Sequence, residues 1–373
     1  PGVIPNLLQT GAGSPSGICV YEGRLLPESF WDQVIHCDPG PNVVRAYPVQ
    51  RDRAGYTATI EPMVTGTIDK WFRPADVCVA PDGSLFVTDW YDPGVGGHRQ
   101  GDTDRGRLFR IAPPGAKYQV TAFDYSTPQG AVEALCNPNL ATRYKAWMAL
   151  RSMEEKAEGA LLQLFNEDPN PRLRARALWL LGHIEGHGVH YMTTALADDD
   201  IDIRCTAIRL ARQLGMVPSV ACAKAANDPS PAVRRELAVA LRFDDSPTMP
   251  SVWATLAQQY DGSDRWYLEA LGLASDLRAE DCFDAWLDAI DGDWNTPAGR
   301  DIVWRVRAPK AAEALVKIIG DPKLTLEQTN RYFRSLEYHD PEVRTDAMKA
   351  LLVDVDDARR VRNDAIIVRA IQR

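Results

Sequence analysis

The chain has 373 residues, of which 45% are hydrophobic and 25% charged, enough length and apolar content for two domains with sizeable cores. Its formal net charge of −9 argues against a general nucleic-acid binder, because phosphate contacts need a basic surface. No apolar run reaches membrane-spanning length, and no signal peptide is visible at Pro1, as expected of a segment whose N-terminus lies upstream.

Residues 1–70 read as β structure. Ser16–Tyr21 is a strand candidate closed by the Glu22-Gly23 turn, and Trp31–His36 is another, closed by Asp38-Pro39-Gly40-Pro41. Two more runs with period-2 character cover residues 42–50 and 56–64. Next, Asp76–Ala80 and Ser84–Asp89 flank Pro81-Asp82-Gly83, the pattern of a β-hairpin. A third run, Arg107–Ile111, alternates charged and apolar residues and ends at Pro113-Pro114, which cannot continue a ladder. The strands of residues 76–111 read as one β-propeller blade, and residues 1–125 as about two. Propellers typically need 4–8 blades to close, so this segment is expected to be the tail end of a longer propeller.

From Pro128 the character changes to helical. Arg143, Arg174, Arg204, Arg234 and Arg265 recur at intervals of 30 or 31 residues. Three of them end related phrases: Asp168-Pro169-Asn170-Pro171-Arg172-Leu173-Arg174, Asp199 to Arg204, and Asp228-Pro229-Ser230-Pro231-Ala232-Val233-Arg234. Each phrase precedes an Ala/Leu-rich helix, so residues 126–373 read as an α-solenoid of roughly seven or eight helix pairs. The D-P-x-P-x-V-R phrase resembles HEAT-like repeats. Asp-Pro is expected to supply the N-cap and a first-turn proline, and the repeating arginine to brace neighbouring repeats. Trp147, Trp179, Trp253 and Trp266 fall at core spacings.

Several groups could carry chemistry. The polar loop Trp90–Gly106 is far longer than a hairpin link of two to five residues. Asp92, Asp102 and Asp104 in it offer oxygens to a hard cation such as Ca²⁺, or cap turns and pair with Arg99, Arg105 or Arg107. His98 is the candidate general base, with a capping role as the plainer reading. His183, His187 and His190 have metal-like spacing, but Gly182, Gly186 and Gly188 break the helix that would align them. The seven cysteines contain no CxxC pair, which removes the common zinc and c-type haem spacings, and most sit on apolar faces.

The phrase DVCVAPDGSLFVTDWYDPGVGGH, continued by GDTDRGRLFRI, resembles the closing part of the β-propeller in PVC-type membrane-bound-dehydrogenase-like, haem-binding proteins. Those propellers resemble soluble quinone-dependent glucose/sorbosone dehydrogenases. The match is specific over residues 71–111 and looser over 16–50, where Pro15-Ser16-Gly17 opens the related phrase. The resemblance implies an exported protein, periplasmic or extracytoplasmic and membrane-associated, in which propeller, HEAT-like repeats and a cytochrome c domain follow one another. It implies pyrroloquinoline quinone with Ca²⁺ as cofactors, oxidation of a sugar or other alcohol, and electron transfer to a haem domain beyond residue 373. An arginine pair before the equivalent Asp-Val strand binds the anionic quinone in that family; Arg73 stands at one of these positions, and Arg105 is the second cofactor-binding candidate. The family's histidine base falls in blades upstream of Pro1. The alternative is a non-catalytic propeller–solenoid scaffold that presents its surfaces to carbohydrate or partner proteins.

Overall fold

The computed structural model describes residues 6–10, 13–95, 104–353 and 368. Among them, nine strands come first and fifteen α-helices follow. The strands are β1 (Ile18–Tyr21), β2 (Gln33–Asp38), β3 (Val43–Tyr47), β4 (Val49–Asp52), β5 (Gly55–Ala58), β6 (Glu61–Thr65), β7 (Pro74–Val79), β8 (Leu85–Asp89) and β9 (Arg107–Ile111). They form antiparallel sheets of order β1-β2-β3-β6 and β7-β8-β9, with β4 and β5 as a separate ribbon. The expected pair of four-stranded sheets is therefore found as four, two and three strands among the described residues, with no closed ring. Pro48 has no N–H to give a ladder, so the run of residues 42–50 divides into β3 and β4 there. Across it the run of residues 56–64 divides too: β5 pairs with β4, and β6 with β3.

The helices are α1 (Pro128–Leu135), α2 (Leu140–Met153), α3 (Glu155–Glu167), α4 (Pro171–Leu181), α5 (Gly188–Leu196), α6 (Ile201–Gln213), α7 (Pro218–Ala221) and α8 (Pro231–Ala240). After them come α9 (Met249–Gln258), α10 (Arg265–Ser275), α11 (Ala279–Ala289), α12 (Pro297–Arg305), α13 (Pro309–Ile319), α14 (Leu326–Leu336) and α15 (Pro341–Val353). The chain divides into two compact units, one of Pro5–Asp52 with Tyr56–Tyr191, the other including Arg53–Gly55 and Met192–Arg373.

In the first unit the larger sheets share one apolar core of Tyr21, Ile35, Cys37, Val44, Phe72, Val77, Val79, Leu85 and Val87. Tyr21 is wholly buried, and its hydroxyl donates to Gly83 O at 2.6 Å while accepting from Leu26 N at 2.8 Å and Leu25 N at 3.1 Å. It thereby pins the β7–β8 hairpin, whose turn needs the positive φ of +84° at Gly83. Helices α1–α4 belong to the same unit. Asn137 and Asn139, ahead of α2, donate to Pro81 O at 3.1 Å and Val79 O at 2.7 Å.

The proline phrases start helices, but not as the sequence suggests. In each, the second proline is the first helical residue: Pro171 after the N-cap Asn170, and Pro231 after Ser230. The aspartate two residues ahead of each N-cap makes a turn instead, Asp168 accepting from Asn170 N and Asp228 from Ser230 N, both at 2.8 Å. Asp228 is then free to receive both Nε and Nη2 of Arg204, at 2.7 and 3.0 Å, from the preceding repeat. This is the brace the periodic arginine suggests. Arg174 differs, donating to Phe165 O at 2.7 Å and lying over that ring. Of the four tryptophans at core spacings, Trp253 is completely buried and donates to Leu271 O at 2.9 Å, whereas Trp147, Trp179 and Trp266 are half-buried.

Candidate functional site

The long loop after β8 is anchored by a residue that spacing alone does not single out. The Asp89 side chain has no exposure; Oδ1 accepts from Arg73 N at 2.7 Å and Tyr91 N at 2.9 Å, and Oδ2 accepts from Arg107 Nε at 2.7 Å. Arg107 also donates to Asp69 at 2.9 Å and lies 3.9 Å from the Tyr91 ring centroid. Desolvation opposes its charge, but the hydrogen bonds to Asp69 and Asp89 outweigh that and raise its pKa above the ordinary value. Tyr91 holds a positive φ of 55° at the point where the chain leaves the strand.

Arg73, the residue for which the resemblance implies cofactor binding, contacts the start of this loop and is 7% exposed. Among the described residues its guanidinium bonds carbonyls alone: Pro93 O at 2.9 Å, Pro39 O at 3.2 Å and Phe72 O at 3.5 Å. Nε is buried without a hydrogen-bond partner, and no carboxylate neutralises the group among the described residues. Arg105 sits 5.8 Å from the Trp71 ring centroid. Asp92 is 4% exposed and uses Oδ1 to cap Gly94 N at 2.8 Å, while Asp104 is exposed. His98 and Asp102 lie outside the described residues.

Two fits follow. One buried, uncompensated guanidinium suits one oxyanion of an anionic cofactor such as a quinone carboxylate. The cation does not fit equally well. Asp92 is engaged in a turn, and no group of three or more His, Cys, Asp or Glu placed to hold a metal occurs among the described residues.

The histidine cluster is dispersed among separate partners. His183 Nδ1 lies 2.6 Å from Trp179 O, and His187 Nδ1 is 2.7 Å from Glu158 Oε1. Tyr191 donates to the same carboxylate at 2.5 Å. That bond, with His187, holds the Glu158 carboxyl below its usual range. A second cluster was not legible in the sequence. Glu22, in the turn after β1, receives Arg176 at 2.6 Å and also pairs with Arg143, with Arg172 at 3.7 Å. Desolvation lowers the Arg176 pKa although Glu22 supports its charge. All seven cysteines are free thiols; burial raises the pKa of Cys19, Cys37 and Cys282 to about 12.

Comparison with known proteins bears on both halves of the chain. Residues 8–113 match the model of a domain of unknown function, DUF7133. Curated protein sequences give no match. Among solved structures, a crystal structure of an engineered protein is 14% identical, covering 66% of this chain and 78% of its own, with a TM-score of 0.32. The X-ray structure of Escherichia coli YibA is 17% identical over 64% of this chain and all (100%) of its own, at 0.33. A designed armadillo repeat protein in complex with the peptide (KR)4 is 14% identical over 65% and 98%, at 0.21. Residues 157–242 match the HEAT-repeat model, in agreement with the helical pairs of that stretch.

Proposed function

We propose that this chain is part of an exported quinone-dependent dehydrogenase whose strands are the closing blades of a β-propeller. Its substrate is a sugar or other alcohol, and its electrons pass to a cytochrome c domain outside this segment. The likeness of residues 71–111 to glucose/sorbosone dehydrogenase-like propellers supports this reading. The single observation that carries it is Arg73, a buried cation with an unpartnered Nε and no carboxylate partner among the described residues, bonded to Pro93 O at the start of the long polar loop. A buried charge without a counter-ion is costly, and a site that binds an anion explains its retention. Quinone bound there supplies the two-electron acceptor; Arg73 holds one of its carboxylates, with Arg105 as the second cation.

The test is a spectroscopic titration of pyrroloquinoline quinone into the full-length protein, with and without Ca²⁺. Arg73→Ala is expected to weaken binding roughly tenfold or more, the scale of one charge-assisted hydrogen bond, with Arg73→Lys intermediate. Equal binding by all three proteins, or none by the wild type, would reject the reading. The second reading is a scaffold binding carbohydrate or partner proteins, favoured by the HEAT repeats, whose arrays present extended surfaces. It is distinguished by partner binding in a protein that takes up no quinone.

A further inference from the structure

Between α10, α12 and α14 of the second unit lies a cavity of about 660 Å³, within the size range of small-ligand sites. Trp304 and Tyr338 form its aromatic part and four arginines, 305, 307, 331 and 334, its polar part. Of the carboxylates nearby, Glu327 lies on the exposed rim, while the more enclosed ones are already committed. Glu269 pairs with Arg305 at 2.7 Å and Arg265 at 2.5 Å; Asp276 pairs with Arg242 at 3.2 Å and Arg305 at 3.4 Å. Asp301 holds Arg331 at 2.6 Å.

Two guanidiniums are left over. Arg307 donates to Trp304 O at 2.7 Å, Val306 O at 3.2 Å and Ser335 Oγ at 3.1 Å, without a carboxylate among the described residues. Burial and then Arg305 push its pKa down to about 10, against the weaker opposing pull of Asp276 and Glu269. Arg334 is exposed on the α14 face toward the cavity and has no side-chain partner among the described residues. Two guanidiniums without an ion pair among the described residues line one concave, partly apolar wall, and a single exposed rim carboxylate, Glu327, leaves the cavity with an excess of positive charge.

We propose that this cavity binds an oxyanion ligand, a carboxylate or phosphate held between Arg307 and Arg334, with its apolar part against the exposed Tyr338. The site is separate from Arg73 and stands whether or not the chain is a dehydrogenase. Calorimetric titration of the full-length protein with citrate and with inorganic phosphate at low salt tests it. Saturable binding of either is expected, and the tighter of the two identifies the ligand chemistry. Arg334→Ala, at an exposed position that folding does not depend on, is expected to weaken binding roughly tenfold or more. Glu327→Gln, which removes a carboxylate from the same rim, is expected to tighten it several-fold. Arg212→Ala, an exposed cation not lining the cavity, is the control and leaves binding unchanged. Binding of neither probe, or equal weakening by Arg334→Ala and Arg212→Ala, overturns the proposal.

Discussion

At the scale of single residues, the buried polar groups decide most. Asp89 satisfies two backbone N–H groups and one guanidinium from a fully buried position. Asp89→Ala leaves Arg73 N and Tyr91 N unpaired and strips Arg107 of its better counter-ion. The expected loss is about 3–5 kcal/mol in denaturant melts. Asp89→Asn retains the amide contacts and is expected to lose less; equal losses for the two would mean that charge plays no part. His339 behaves in the opposite sense. It is 5% exposed, neither ring nitrogen has a hydrogen-bond partner among the described residues, and desolvation, aided by Arg307 against Asp340, lowers its pKa to about 4. Its folded-state pKa lies below the unfolded value, so its contribution is complete above about pH 6.5 and is lost as pH falls toward 4. His339→Leu is expected to flatten the stability profile in that window, by an amount on the order of 2–3 kcal/mol, without loss at pH 7. An unchanged pH slope in the variant would contradict this. Neither residue stands out in the sequence. An aspartate ending a strand and a histidine before Asp340-Pro341 look like ordinary turn residues until their burial is known.

At the scale of elements, the sequence was most legible where one residue type has one physical use. Gly83 between two β-rich runs marks the β7–β8 hairpin, and the second proline of each repeat phrase marks a helix start. It was least legible where pairing depends on partners far along the chain. The split at Pro48 could be anticipated from its missing N–H; the pairing of β6 with β3 rather than β5 could not. The repeating arginine gives one test at this scale. Arg204 spans two repeats through a bidentate pair with Asp228, both side chains nearly buried at 12% and 9% exposure. Arg204→Ala is expected to cost about 1–3 kcal/mol, because Asp228 loses its counter-ion. Arg174→Ala, whose losses include the bond to Phe165 O and the contact with that ring, is expected to cost less. Denaturant melts of both variants check the order, and an unaltered melt for Arg204→Ala would remove the bracing role.

At the scale of the whole molecule, the change from strands to helices was readable from composition alone, since Pro128 begins α1 and the Asp/Arg period runs on behind it. The candidate site was readable only in part. Arg73 was marked by the resemblance; its burial without a carboxylate partner among the described residues was not visible in the sequence. The aspartates of the loop were marked by composition, which does not reveal that Asp92 is spent on capping Gly94. The Glu22–arginine cluster joins residues 121 to 154 positions apart, and nothing local announces it.

The central claim is that this chain serves a quinone-dependent oxidation. The most direct measurement is steady-state reduction of an artificial electron-acceptor dye by the full-length protein loaded with pyrroloquinoline quinone, across a panel of aldoses and polyols. Substrate-dependent dye reduction is expected, absent without quinone and lower by roughly tenfold or more in Arg73→Ala. Quinone-loaded, folded protein that reduces no dye with any of these substrates would contradict it.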